Sequence, residues 1–268
     1  MGPRELLSAL VGCLLLSVMS GCGGASPTSP PTPVAPQPIV EPAPPKPTGP
    51  APRLGVIRIL AFGDSMTEGV DSPALPSAGF SSTLLLSPGR SQSYPFKLQS
   101  MIAGRYTDQT IAVFNEGIAG KQVRDDRDRF NQAMSAAHPD LILLLEGAND
   151  LGGPLAAGEG VNARITVVVG SLEDMVRDAG FRGIPVMIGT LPPQRAGGPK
   201  ATKLAVFPGI NSSITEMAGK KGAQVVDFSQ LPLSLIGADG LHPSEAGYQR
   251  MAEIWFEAIK ARFEPALQ

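Results

Sequence analysis

The chain has 268 residues, 43% of them hydrophobic, and a formal net charge of -2. That is enough for one good-sized core, and the near-neutral balance gives no basic footprint for nucleic acid. Only two cysteines and two histidines occur, which rules out a disulfide framework or a site of several histidines, and no ligand spacing points to a metal or a cofactor.

Residues 1–22 read as an export signal. Arg4 gives a positive start, and Leu6 to Met19 is an apolar stretch too short to span a bilayer comfortably. It ends in Met19-Ser20-Gly21-Cys22. This resembles the lipobox of bacterial lipoproteins, in which small residues precede a cysteine that receives lipid. Leu10-Val11-Gly12-Cys13 also fits the box, but it would leave an apolar core of only about seven residues. The resemblance therefore implies lipidation at Cys22 and an exported chain anchored to the cell envelope. No aspartate follows Cys22, which leans toward the outer membrane.

Residues 23–53 are expected to be a tether. Twelve of the 27 prolines fall between Pro27 and Pro52. Such a segment buries too little apolar surface to offset its ordering entropy, and proline extends it.

From Leu54 to the end the pattern alternates between strands and helices. Val56–Phe62 is the first predicted strand, ending at Gly63-Asp64-Ser65. Residues 71–93 form a connection long enough to expect a functional loop. Tyr94–Arg105 is a predicted helix with Pro95 in its first turn. Thr110–Asn115 is the second strand and Gln122–Ala137 the next helix. The alternating charges from Arg124 to Arg129 suggest a solvated helix face. His138, before Pro139, has a structural place at that helix's end, where a cation suits the dipole. Leu141–Glu146 is a continuous apolar run, as expected of a central parallel strand.

A helix follows at Asn162–Ala179, then a strand at Pro185–Thr190. The segment Gln194–Phe207, with the 71–93 loop, is expected to wall a pocket. Ile210–Lys221 is helical, Gln224–Asp227 a short fifth strand, and Ser244–Phe263 the last helix, with Trp255 on its apolar stripe. Alternation of this kind predicts a parallel sheet covered on both faces by helices.

Four stretches follow predicted strands: Gly63-Asp64-Ser65, Asn115 to Gly120, Gly147-Ala148-Asn149-Asp150, and Asp239-Gly240-Leu241-His242. Strand ends on one side of a parallel sheet converge, so these stretches can share a site. Ser65 is a candidate nucleophile, His242 its base, and Asp239 the acid that orients the imidazole. The N–H groups of Ser65 and Gly120 and the side-chain amide of Asn149 are candidate donors to an oxyanion. Taken singly, each stretch is a turn, a helix cap or a surface loop.

Together, and in this order, they resemble the sequence blocks of the SGNH/GDSL hydrolases. The blocks are named for a serine, glycine, asparagine and histidine, here Ser65, Gly120, Asn149 and His242. Met66 stands where the family name implies leucine, an apolar exchange of similar volume. The resemblance covers about residues 56–263. It implies a three-layer α/β/α, flavodoxin-like sandwich around a five-stranded parallel sheet, a domain over 54–268, and ester hydrolysis without a cofactor. With Glu116 and Leu191-Pro192-Pro193, the pattern looks most like the lysophospholipase L1/thioesterase I branch. Its implied substrates are lysophospholipids or small acyl esters, with an O-acetylated polysaccharide as the runner-up. A non-catalytic binding module on the same fold would be favoured by loss of Ser65, His242 or a donor, and none is lost.

Overall fold

The segment Leu141–Leu145 has five apolar side chains in a row, and all five are buried. A strand that hides both faces belongs in the middle of a parallel sheet. The structure, a computed structural model, describes residues 51–70, 92–201 and 208–265. The expected signal with Cys13 and Cys22, nearly all of the tether, and residues 71–91 and 202–207 of the two expected pocket walls lie outside the described residues.

The sheet has five parallel strands: β1 (Arg58–Gly63), β2 (Ala112–Gly117), β3 (Leu141–Leu145), β4 (Val186–Gly189) and β5 (Gln224–Val226). Their order is β2-β1-β3-β4-β5. This is the flavodoxin-like order, whose switch point lies between β1 and β3. The short helices α1 (Ser65–Glu68) and α4 (Ala148–Gly152) begin at the carboxyl ends of those two strands. Helix α2 (Tyr94–Arg105) packs on α7 (Glu245–Phe263), while α5 (Val161–Phe181) packs on α3 (Arg127–Ala137) and α6 (Ile210–Lys221). The three-layer α/β/α sandwich expected from the sequence is therefore the fold. No helix among the described residues is long and apolar enough to cross a membrane.

Local chemistry sets the ends of these elements. The Ser93 hydroxyl caps α2, with Pro95 in its first turn. Ser244 caps α7 by accepting from Gly247 N. Trp255 is fully buried, packed between Tyr94 and Phe228.

Three expectations need correction. First, the second strand, expected at Thr110–Asn115, runs from Ala112 to Gly117, so Glu116 and Gly117 belong to it and do not follow it. Its apolar pattern stops at Phe114, but backbone pairing continues to Gly63 opposite Gly117. Second, Gln122–Ala137 is not one helix. A 3-10 turn at Val123–Asp125 precedes α3, because the Asp150 carboxylate takes the backbone N–H groups of Val123 and Arg124.

Third, only part of the charge run is a solvated face: Arg124, Asp125, Arg127 and Asp128 are exposed. Asp126 and Arg129 turn inward, and Asp126 is 1% exposed. At the far end of α3, His138 sits in the left-handed region with φ 44°. The cation that meets this helix end is Arg58, whose Nε donates to Ala137 O at 2.7 Å.

Candidate active site

Ser65 opens α1 directly beyond β1. Asp64 caps this single turn by accepting from Met66 N at 2.9 Å, which fixes the backbone before and after the serine. The turn lies hard against β2. A Cβ on Gly117 would stand 1.9 Å from Glu68 N, so only glycine lets the strand end and the helix meet.

His242 reaches Ser65 across the carboxyl end of the sheet. Its Nε2 lies 2.9 Å from Ser65 Oγ, and its Nδ1 lies 2.5 Å from Asp239 Oδ2. A carboxylate at Nδ1 favours the tautomer with its proton there, leaving the Nε2 lone pair to accept from the serine hydroxyl. The other carboxylate oxygen, Asp239 Oδ1, accepts from Leu241 N at 3.0 Å and His242 N at 2.9 Å. The loop is closed by Gly237 N donating to His242 O at 2.7 Å and Ser244 N donating to Leu235 O at 2.8 Å. Ser65 is 5% exposed and His242 4%, so the pair is shielded while still facing a pocket.

That pocket holds about 380 Å³ and is bounded by Ser65, Gly120, Asn149 and His242, with Val70 and Leu241 among its apolar walls. Gly120 is exposed, with φ 82°. The loop before it is held by Ala119 N, which donates to Glu68 Oε2 at 2.7 Å.

Asn149 is the second residue of α4, whose N-cap is Gly147, so it does not cap this helix. Its amide Nδ2 donates to Lys121 O at 2.8 Å and lies 3.4 Å from Asp64 Oδ2. The second contact is long and weak, so one amide hydrogen is available to a better acceptor in the pocket. The structure thus brings all five site residues expected from the folded part of the sequence to one place.

Other residues around this place were not singled out by sequence reasoning. Lys200 lines the pocket, and its Nζ lies 3.4 Å from Asp239 Oδ2. Behind the site lies a buried cluster of carboxyl groups around Arg129. Burial pushes Asp64 up to about 7, against the pull of the Met66 N–H. Burial pushes Glu146 up to about 10, with Asp126 and Asp64 adding to the effect. Neither Glu146 carboxyl oxygen has a hydrogen-bond partner among the described residues. A neutral Glu146 can face Asp126 without like-charge repulsion. Among the described residues no group of His, Cys, Asp or Glu is arranged to hold a metal ion.

One signal could have exposed this cluster. Asp126 precedes Phe130 by four residues and Ala133 by seven, which places it on the buried stripe of α3.

The GDSL-like lipase/acylhydrolase family matches residues 61–250 of the chain. Among solved structures, the lipase/acylhydrolase from Enterococcus faecalis is similar with a TM-score of 0.59 at 22% identity, over 79% of this chain and 100% of that one. Axe2, an acetylxylan esterase from Geobacillus stearothermophilus, gives 0.59 at 20% identity, over 80% of this chain and 99% of its own. The acetyl xylan esterase AlAXEase gives 0.57 at 18% identity, over 75% and 99%. At such identities the likeness is one of fold. No curated protein sequence matches the chain.

Proposed function

The chain belongs to the GDSL-like lipase/acylhydrolase family and is a carboxylic ester hydrolase, and from that premise we propose that Ser65, His242 and Asp239 are its catalytic triad. The observation that carries this assignment is the unbroken path Ser65 Oγ to His242 Nε2 at 2.9 Å and His242 Nδ1 to Asp239 at 2.5 Å.

Ser65 Oγ attacks the ester carbonyl carbon while His242 Nε2 takes the hydroxyl proton. The carbonyl oxygen becomes an oxyanion, met by the N–H groups of Ser65 and Gly120 and by Asn149 Nδ2. As the C–O bond to the alcohol breaks, His242 passes the proton to the leaving oxygen, and the acyl group stays on Ser65. Water then attacks this acyl-enzyme with His242 as base. The acid departs, and the proton returns to Ser65. Asp239 stabilises the imidazolium in both halves without itself being protonated.

The substrate is a small acyl ester or a lysophospholipid. Two observations support this choice over a long glycan. The pocket of about 380 Å³ has aliphatic walls at Val70 and Leu241. Trp255, the sole tryptophan, is fully buried and so offers no sugar-stacking face. An acetyl ester on a cell-wall or secreted polysaccharide is the second reading, favoured by the fold shared with acetylxylan esterases.

Turnover of p-nitrophenyl esters from two to sixteen carbons, beside a lysophospholipid and an acetylated sugar, tests the proposal. Hydrolysis of the aryl esters with the lysophospholipid preferred over the acetylated sugar is expected. Preference for the acetylated sugar selects the second reading, and no turnover of any ester rejects both.

The lipobox resemblance at Cys22 supports an exported, lipid-anchored protein whose tether separates anchor from enzyme. Mass spectrometry of the protein from its native host should find an acylated N-terminal Cys22. A mature chain beginning at Gly23 or later would rule this out.

A further inference from the structure

The acid of the proposed triad meets both the imidazole and an ammonium at one oxygen. Asp239 Oδ2 meets His242 Nδ1 at 2.5 Å and lies 3.4 Å from Lys200 Nζ. The Lys200 side chain is 52% exposed and that of Asp239 10%. Lys200 is not a loose surface group. Its backbone N donates to Asp239 O at 2.8 Å, so the two residues meet through main chain and side chain alike. Arg195 N donates to Gly240 O at 2.9 Å, and Arg195 Nη2 to Gly237 O at 2.6 Å. The two segments approach so closely that a Cβ on Gly198 would stand 2.3 Å from Asp239 O. The stretch from Arg195 to Lys200 is therefore a splint along the loop that carries Asp239 and His242.

We infer that Lys200 is a positioning residue of the triad: its ammonium holds Asp239 Oδ2 toward His242 and opposes positive charge on the imidazole. The inference rests on the triad reading above. A lone carboxylate beside an imidazole raises its proton affinity, and a nearby ammonium offsets part of that rise.

Other charged groups stand on the elements around the pocket. At α1, Asp64 accepts from Met66 N and Glu68 from Ala119 N. Beyond β2, Lys121 lies 4.0 Å from Asp126. In α4, Asp150 accepts from Val123 N. At the start of α7, Glu245 lies 4.0 Å from Lys97. Arg195 is engaged with Gly237 O. Lys200 differs from all of these in sharing the carboxylate oxygen that His242 uses.

Lys200→Met removes the charge but keeps the aliphatic stem and the backbone bond to Asp239. Lys200→Arg keeps the charge, and Lys200→Gln is a second neutral variant should methionine disturb the loop. The readout is the pKa of the His242 imidazole by NMR in the full folded chain. With two histidines in the sequence, a His138→Gln variant assigns the signals. Both neutral variants should raise the His242 pKa by about 0.5–1 unit at low salt, a shift sized for charges a few ångströms apart at a half-exposed site. High salt should shrink the difference, and Lys200→Arg should keep the wild-type value. The acid limb of kcat/KM should move by the same amount. An unchanged His242 pKa in both neutral variants overturns the inference. The NMR titration needs no turnover, so an inactive wild type would sink the ester-hydrolase reading while leaving this test intact.

Discussion

The Arg129 guanidinium lies 3.8 Å from the centre of the Phe62 ring. The stack aims its N–H groups at the ends of two neighbouring strands. Nη1 donates to Glu116 O at 2.6 Å, Nη2 to Gly63 O at 3.0 Å, and Nε to the Asp126 carboxylate at 2.8 Å. Strand β1 leads into Ser65 and β2 toward Gly120, so one side chain ties together the backbone from which the proposed nucleophile and an oxyanion donor emerge.

Arg129→Met should therefore be costly. It removes these bonds and leaves Asp126, which is 1% exposed, with only the distant Lys121 ammonium at 4.0 Å as an ion-pair partner among the described residues. Breaking a buried pair from one side costs about 3–5 kcal/mol. Arg129→Lys restores charge but not the planar fork, and should recover only part of the loss. Urea unfolding measures both. A wild-type midpoint for Arg129→Met would mean that the clamp contributes nothing.

Glu146 gives a prediction about pH. Burial holds its carboxyl neutral up to about 10, while the unfolded chain releases that proton near the ordinary 4.5. Between those values the native state binds more protons than the unfolded state, so this residue lowers stability as pH rises, by up to about 1.4 kcal/mol per unit. Glu146→Gln cannot titrate, and any fixed cost of a buried amide leaves the slope untouched. The melting temperature of the variant, relative to wild type, should climb from pH 5 to pH 9. Glu159 and Glu264 are held down near 2 by Arg164 and Arg105, so their contributions change only below this window. A pH-independent difference would show that Glu146 ionises as freely in the native chain as in the unfolded one.

What the sequence made legible follows from periodicity and capping. Helices α2 and α6 have the bounds that their apolar spacing, Pro95 and the glycine after Lys221 suggest. The all-apolar run at β3 marked the centre of the sheet. The convergence of Ser65, Gly120, Asn149 and His242 was readable because parallel strands bring their carboxyl ends together. Less legible were features decided by long-range backbone bonds. Strand β2 is drawn three residues past its apolar pattern by pairing with β1. Lys200 sits in a stretch with no periodicity, and its place is set by bonds to Asp239 and to the loop beyond it. Asp126 and Arg129 read as solvated because charge outweighed stripe position in the reading, although burial beside Phe62 was the physical outcome.

Ser65→Ala should leave a folded, nearly inactive protein. The hydroxyl is the proposed nucleophile and bonds only His242 among the described side chains, so its loss removes little packing. Loss of a serine nucleophile from a comparable triad costs roughly 10⁶ in turnover. A fluorophosphonate probe should label Ser65 in the wild type and nothing in the variant. Retention of most activity by a purified Ser65→Ala protein would reject the triad.

Asn149 separates this mechanism from a triad served by backbone donors alone. Its Nδ2 spends one hydrogen on Lys121 O at 2.8 Å and leans the other toward Asp64 Oδ2 at 3.4 Å. The long bond is the weaker of the two, so a forming oxyanion can claim that hydrogen at least cost. Alanine offers no donor there, while the N–H groups of Ser65 and Gly120 remain. Removing one such side-chain donor costs about 10²–10³ in turnover, or roughly 3–4 kcal/mol. Asn149→Ala should lower kcat by that order with little change in KM, because the bond strengthens mainly in the transition state. Asn149→Asp should be worse, since it sets a carboxylate between Asp64 and the oxyanion. A purely structural Asn149 would act only by anchoring Lys121 O, and its loss would then lower the melting temperature by the worth of one hydrogen bond, about 1 kcal/mol, while kcat stayed near normal. Steady-state kinetics beside a thermal melt distinguishes the two outcomes, and near-normal kcat in a destabilised Asn149→Ala would remove Asn149 from the oxyanion site.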